Sequence, residues 1–217
     1  MNYLSHGNDH DFFDKEHIER FLRNHKTGTD NHGRQYLGYL LRQYENPSVL
    51  DIACGSCVNH ETWRNMGIPH RYTGLDLTQK LLDEASKRYP DSVTLLRGYA
   101  QDAASIFTNE KFDVVVIRHF LEHVYNGQYE SIVEQAFQLA NKELIIVFFL
   151  TPHGGMEDKV EERSSGIDGH PEVTHFWNEY SWPKFVNFIA KFGCRVTTEC
   201  IVTPGAAHTD FIVRVIK

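Results

Sequence analysis

The sequence predicts an α/β fold: a seven-stranded, mostly parallel sheet with helices on both faces and a helical lid at the N-terminus. Three observations predict it. Strand-length apolar segments alternate with amphipathic helix-length segments from Ser48 onward. Two strands, Phe112–Ile117 and Glu143–Leu150, are apolar on both faces, as central parallel strands are. The first strand, Ser48–Ile52, holds an acid, Asp51, and then breaks into Ala53-Cys54-Gly55-Ser56-Cys57. Small side chains there let the backbone approach a ligand, and the following helix offers free N–H groups.

Composition bounds the rest. At 217 residues and 41% apolar content, the chain can build one large core, read as a helical cap over 1–46 and a single compact domain over 47–217. A net charge of −7 argues against a nucleic-acid partner. No apolar run reaches the roughly 18 residues a membrane helix requires. The N-terminus has neither a basic nor an apolar leader segment, so a cytoplasmic protein is expected. The four cysteines, Cys54, Cys57, Cys194 and Cys200, read as free thiols in a reducing compartment. Cys54 and Cys57 have C-x-x-C spacing, but no second close Cys/His pair supports a zinc site.

Taken in order, Asp11–Asn24 and Arg34–Tyr44 carry apolar residues at helical spacing and form the lid, with His32 and Arg34 as candidate ligand contacts. Asn59–Asn65 is a short helix. Arg71–Asp76 is the second strand and ends in another acid, Asp76, which can accept ribose hydroxyls or cap the helix running to Arg88. Ser92–Arg97 is the third strand, followed by Gly98-Tyr99-Ala100-Gln101-Asp102. After the fourth strand come Arg118-His119-Phe120-Leu121-Glu122-His123 and a helix over Gln128–Asn141. Thr151–His175 reads as a long polar loop leaving the carboxyl edge of the fifth strand, where ligands bind in such sheets. Ser181 caps a helix with Pro183 in its first turn and Gly193 at its end. Two strands, Cys194–Val202 and Thr209–Ile216, close the chain around Pro204-Gly205.

Asp51-Ile52-Ala53-Cys54-Gly55-Ser56-Cys57 resembles motif I of the class I S-adenosylmethionine (SAM)-dependent methyltransferases, Asp-x-Gly-x-Gly-x-Gly, with Ala53 and Cys57 where the family has glycine. Gly74-Leu75-Asp76-Leu77-Thr78 resembles the family's ribose-binding turn. Phe112-Asp113-Val114-Val115 followed by Leu121-Glu122-His123-Val124 resembles motif IV of the small-molecule branch, the type 11/12-like methyltransferases, and falls where the fold requires it. The resemblance implies a Rossmann-like sheet whose last strand is antiparallel. It implies SAM as cofactor, held by Asp51, Ala53, Cys54, Gly55, Cys57, Asp76, Leu77, Tyr99, Ala100, Gln101, Asp102 and Arg118. The adenine loop fits in two registers, one placing Tyr99 and the other Asp102 at the acidic position.

Methyl transfer requires positioning above all, and a base only for a weakly acidic hydroxyl or a protonated amine. The candidate bases at the ligand edge are His119, His123, His153 and His175, with His170 nearby. His119-x-x-Glu122-His123 is similar to the Glu-x-x-Glu-His metal site of ubiquinone-biosynthesis O-methyltransferases; a divalent metal is the less favoured reading. The aromatic segment His175–Trp182 suits an acceptor pocket or the start of a helix. The expected function is O- or N-methylation of a small-molecule acceptor. Two other readings are a non-catalytic SAM-binding scaffold and an NAD-type oxidoreductase, the latter without a Gly-x-Gly-x-x-Gly.

Overall fold

Seven strands form one sheet in the order β3-β2-β1-β4-β5-β9-β8 in a computed structural model that describes residues 31–124, 127–149, 151–164, 174–205 and 209–217. The expected helix over Asp11–Asn24 lies outside these residues, as does His170. The strands are β1 (Ser48–Ile52), β2 (Arg71–Asp76), β3 (Val93–Arg97), β4 (Phe112–Arg118), β5 (Ala140–Phe148), β8 (Arg195–Val202) and β9 (Thr209–Ile216). All neighbours from β3 to β5 pair in parallel. β9 is antiparallel to both β5 and β8, the expected reversed insertion.

Alternation along the central strands divides the core. Leu50, Ile52, Val115, Ile117, Leu144 and Ile146 pack on one face beneath α5 (Gln128–Leu139) and α6 (Trp182–Ala190). Val49, Val114, Val116, Ile145 and Val147 pack on the other, beneath α1 (His32–Leu41), α2 (Val58–Asn65) and α3 (Gln79–Arg88). Both sets are at most 2% exposed, which explains why these strands read as continuous apolar runs. Each such side chain contributes about 1.5–3 kcal/mol by leaving water.

Caps fall where their residue types direct them. The Asn31 side chain accepts from Arg34 N at 2.9 Å to start α1. Ser181 accepts from Lys184 N to start α6, with Pro183 in the first turn. The helix after β4 ends at Leu139 rather than Asn141, because Ala140 already pairs with Phe112 in β5.

The expected loop over Thr151–His175 needs correction. A strand within it, β6 (Lys159–Ser164), pairs antiparallel with β7 (Thr174–Glu179), which begins at its end, in register Lys159↔Glu179 through Ser164↔Thr174. The charged Lys159–Ser164 carries no alternating apolar signal, so this strand exists through its pairing with the aromatic β7.

One buried ion pair secures β9. Glu143, fully buried, accepts from Arg214 Nε and from Tyr44 OH at 2.8 Å. Burial and this carboxylate push the Tyr44 phenol up to about 12.

Candidate active site

The carboxyl edge of the sheet gathers the predicted residues. After Ile52 the chain turns through Ala53–Cys57 into α2. Ala53 N and Cys54 N both donate to Leu75 O, at 2.7 and 3.2 Å, tying the loop to β2. Ala53, Gly55 and Cys57 have φ of 60°, 55° and 61°. The loop therefore has left-handed backbone at all three positions where the resembled motif has glycine. A non-glycine residue there costs roughly 1–2 kcal/mol, which the surrounding bonds hold in place. Gly74 makes the close approach of β2 workable: a Cβ there would lie 2.6 Å from Cys54 Sγ. Cys54 and Cys57 are free, buried thiols. The neighbouring Cys57 thiol and burial hold the Cys54 thiol well above its ordinary range, so it stays protonated.

Two carboxylates support this loop. Asp51 is 1% exposed and accepts from Tyr72 OH at 2.5 Å and Asn59 Nδ2 at 3.0 Å. Burial pushes it up to about 6 despite these bonds. Its role is beneath the loop. Asp76 lies at the tip of β2; its Oδ2 accepts from Gly55 N and its Oδ1 from Thr78 N, each at 2.8 Å. The Thr78 hydroxyl and Leu77 N–H add further donors to this carboxylate. Burial raises Asp76 as well. Thr78 starts α3 but makes no side-chain cap bond, so Asp76 does the capping from two residues upstream.

Sequence reasoning missed Ser56. Its Oγ is fully buried within the loop and has no hydrogen-bond partner among the described residues. Its place between Gly55 and Cys57 was the available signal. Leu77 follows Asp76 on the same edge. Beyond β3, Gly98 N donates to Asp76 O at 3.0 Å, and Ala100–Asp102 makes one 3-10 turn leading into α4 (Ala103–Ile106). Tyr99 begins that turn, Ala100 is buried within it, Gln101 O accepts from Gln135 Nε2, and Asp102 is exposed.

The end of β4 builds the second half of the site. Arg118 is clamped between Asn31 Oδ1 at 3.2 Å and Asp210 Oδ2 at 3.1 Å, with its side chain 6% exposed. Its Nε is buried and has no hydrogen-bond partner among the described residues. His119 has φ 51° and places Nε2 at 2.5 Å from Asp210 Oδ1. Asp210 sits on β9 and packs on Gly33, where a Cβ would lie 1.6 Å from its Oδ2. His119 and Arg118 hold the Asp210 carboxyl far below the usual carboxylate range, overriding its burial. Arg34 lies beside them and is lowered to about 9, first by burial and then by Arg118. It therefore remains charged at neutral pH. Asp210 was also missed: nothing in Thr209–Ile216 alone marks it, and only the reversed insertion of β9 carries it to β4.

His119, His123, Phe149 and Trp177 form one aromatic wall. His119 meets Phe149 edge-on at 5.5 Å, His123 stacks on Phe149 at 5.4 Å, and Trp177 of β7 closes on both His123 and Phe149 at 5.2 and 4.9 Å. The other two predicted histidines go elsewhere. His153 bonds Tyr180 O and Trp182 N through its backbone, while its Nδ1 accepts from Gly155 N, so it braces the start of α6. His175 pairs with Arg163 in the hairpin. Its side chain lies outside the described set. His32 bonds Val202 O and Thr203 Oγ1, away from the loop.

His119, Glu122 and His123 do not share a helix face. Residues 121–123 form a single 3-10 turn, and the fully buried Glu122 accepts from Phe149 N at 2.7 Å. Among the described residues, no group of three or more His, Cys, Asp or Glu side chains gathers as a metal site.

Comparison with known proteins bears on the central segment. A family profile described as a methyltransferase domain matches residues 50–147, the segment from the motif I strand through β5. Residues 50–147 therefore carry a methyltransferase domain, as the resemblance to the class I SAM-dependent family implies. That domain supports methyltransferase activity, and structural neighbours crystallised with SAM, SAH and sinefungin support SAM as the methyl donor. No curated protein matches the chain in sequence. Solved structures share the fold at low identity. A glycopeptide N-methyltransferase, MtfA, is 14% identical with a TM-score of 0.63, covering 87% of this chain and 90% of its own. The 1,6-didemethyltoxoflavin-N1-methyltransferase of Burkholderia thailandensis is 15% identical with a TM-score of 0.65, covering 92% and 86%. Magnesium protoporphyrin IX methyltransferase (ChlM) of Synechocystis PCC 6803, with bound SAM, is 13% identical with a TM-score of 0.62, covering 94% and 86%. No helix among the described residues is long and apolar enough to cross a membrane.

Proposed function

We propose that this methyltransferase acts on an O–H or N–H group of a small molecule bound against the His119–Phe149–His123–Trp177 wall, with His119 as the base. The observation that carries the reading is the His119–Asp210 contact at 2.5 Å, at the end of the strand that follows the cofactor loop in the sheet. The acceptors printed for the structural neighbours, a glycopeptide, a toxoflavin precursor and a porphyrin, support a small-molecule acceptor without fixing which one.

The described residues fit SAM. The left-handed loop Ala53–Cys57 presents backbone and the buried Ser56 hydroxyl, the Asp76 carboxylate stands at the tip of β2 for ribose hydroxyls, and Arg118 Nε is an unused buried donor suited to the cofactor's carboxylate. Asp51 supports the loop from below through Asn59 and Tyr72. Leu77 and the Tyr99–Asp102 turn border the adenine position. When bound, SAM supplies an electrophilic methyl group on a sulfonium. His119 accepts the acceptor's proton, Asp210 fixes the imidazole orientation and stabilises its charged form, and Arg118 fixes Asp210. Phe149 and Trp177 exclude water.

Calorimetric titration with S-adenosylhomocysteine (SAH) tests the cofactor half. Micromolar binding that weakens at least ten-fold in Asp76→Ala is expected, and a folded protein that does not bind SAH overturns it. Single-turnover methyl transfer to a panel of phenols, heteroaromatic amines and carboxylates tests the other half. His119→Ala should slow transfer by about 10²-fold or more while leaving the SAH affinity within two-fold. Unchanged transfer in that variant removes His119 from the mechanism.

A further inference from the structure

A second polar centre lies at the opposite end of the sheet, below the amino ends of β2 and β3. There a cleft of about 680 Å³ is lined by His60, Arg64, His70, Arg71, Asp91 and Ser92 among others. Three of these residues form a hydrogen-bonded row. Ser92 Oγ lies 3.1 Å from His60 Nε2, His60 Nδ1 lies 2.9 Å from His70 Nε2, and His70 Nδ1 lies 2.7 Å from Ile68 O.

The last of these contacts sets the direction of the whole row. A carbonyl oxygen only accepts, so His70 Nδ1 carries the proton. His70 Nε2 is then an acceptor, and His60 Nδ1 must donate to it. His60 Nε2 is left with a lone pair and accepts the Ser92 hydroxyl proton. Every proton in the row is thereby assigned, and the lone pairs of Ser92 Oγ are left toward the cleft. His60 is 3% exposed and Ser92 is exposed, so the base is enclosed and the hydroxyl is reachable. The rings are braced by aromatic neighbours: His60 lies tilted against Tyr72 at 4.9 Å and edge-on to Tyr89 at 5.1 Å, and His70 lies edge-on to Trp63 at 5.5 Å.

We propose that Ser92 is an activated nucleophile that takes the acyl group of small activated esters, with His60 as its base and His70 as the positioning residue. The order of groups is nucleophile, base and orienter within hydrogen-bond reach, with a second imidazole in place of a carboxylate. In the step, Ser92 Oγ forms a bond to the carbonyl carbon and its proton moves to His60 Nε2. The bond from that carbon to the leaving oxygen breaks, and His60 returns the proton to the leaving group or to solvent. Water then bonds the acyl carbon and gives a proton to His60 Nε2, the bond from that carbon to Ser92 Oγ breaks, and His60 returns the proton to Ser92 Oγ as the acid leaves. Arg64 and Arg71 on the cleft wall favour an anionic acyl or leaving group. Burial, more than the neighbouring His70, lowers His60 to about 4. It therefore stays neutral with its lone pair available, but it is a weak base. That restricts the acceptable leaving groups to good ones, such as phenolates.

The test uses the full chain and p-nitrophenyl acetate. Expected are a p-nitrophenolate burst of about one equivalent and a single acetyl group, mapped by mass spectrometry to the peptide containing Ser92. Ser92→Ala should abolish that adduct while leaving the protein folded and its SAH affinity unchanged. His60→Gln and His70→Gln should each slow acylation at least ten-fold with Ser92 still present. His70, being only partly buried, serves as the variant that keeps its fold if His60→Gln does not. Acetylation confined to lysines or other serines, or an equal rate in folded His70→Gln, overturns the proposal.

Discussion

The strained Ala53–Cys57 loop makes a prediction that runs against ordinary expectation for glycine. Ala53 has φ 60°, is half-buried, and is held by its N–H bond to Leu75 O. Ala53→Gly removes a left-handed penalty of about 1–2 kcal/mol. It adds about 0.4–1 kcal/mol of unfolded-chain entropy. The variant should therefore be more stable by roughly 0.5–1 kcal/mol, a rise of about 1–4 °C for a chain of this size. Because the backbone already has the geometry glycine would give, SAH affinity should stay within two-fold. Cys57→Gly relieves the same strain at φ 61° but also removes a fully buried thiol, so the two effects offset each other. Cys57→Ala keeps the strain, loses the thiol and should cost about 1 kcal/mol. Urea midpoints with parallel calorimetry on the three variants would decide. A destabilised Ala53→Gly, or one whose SAH affinity changes ten-fold, would refute the idea that the loop stores glycine geometry in non-glycine residues.

Other perturbations have signed outcomes. Asp210→Asn should slow methyl transfer at least ten-fold and change its pH profile, while SAH binding persists; a profile identical to wild type would remove Asp210 as the partner of His119. Glu143→Gln leaves Arg214 buried without its carboxylate and should cost about 3 kcal/mol in urea unfolding, as breaking a buried pair does. Burial lowers both His60 and His70 below 6.5, so the unfolded chain binds protons that the folded chain refuses. Their contribution is complete above about pH 6.5 and is lost as pH falls through the window toward 4. Between pH 7 and 5 the His60 contribution alone amounts to roughly 1–2 kcal/mol, and His60→Gln should flatten that part of the stability curve.

How much of this was legible follows from where each signal resides. Phe112–Ile117 announced itself because a strand buried on both faces must be apolar throughout. Asp51 and Asp76 were readable because an acid at a strand end followed by small residues is a local pattern, complete within ten residues. Lys159–Ser164 was illegible for the opposite reason: it is a strand only through its partner β7, and its own side chains state no preference. The same distinction separates His119 from its partner. His119 stands in a recognisable motif, but Asp210 lies 91 positions away in a strand of unremarkable sequence. Because β9 is inserted antiparallel, its first residues arrive at the carboxyl ends of β4 and β5, beside the proposed site. A parallel strand in that slot would deliver its last residues there instead. The reversed strand thus does more than close the sheet: its direction sets Asp210 against Arg118 and His119, and Gly33 has no side chain because that carboxylate occupies the space. The antiparallel insertion and the charge pair at the site are therefore one structural fact, which fold-level reading supplies in outline and only the paired register makes specific.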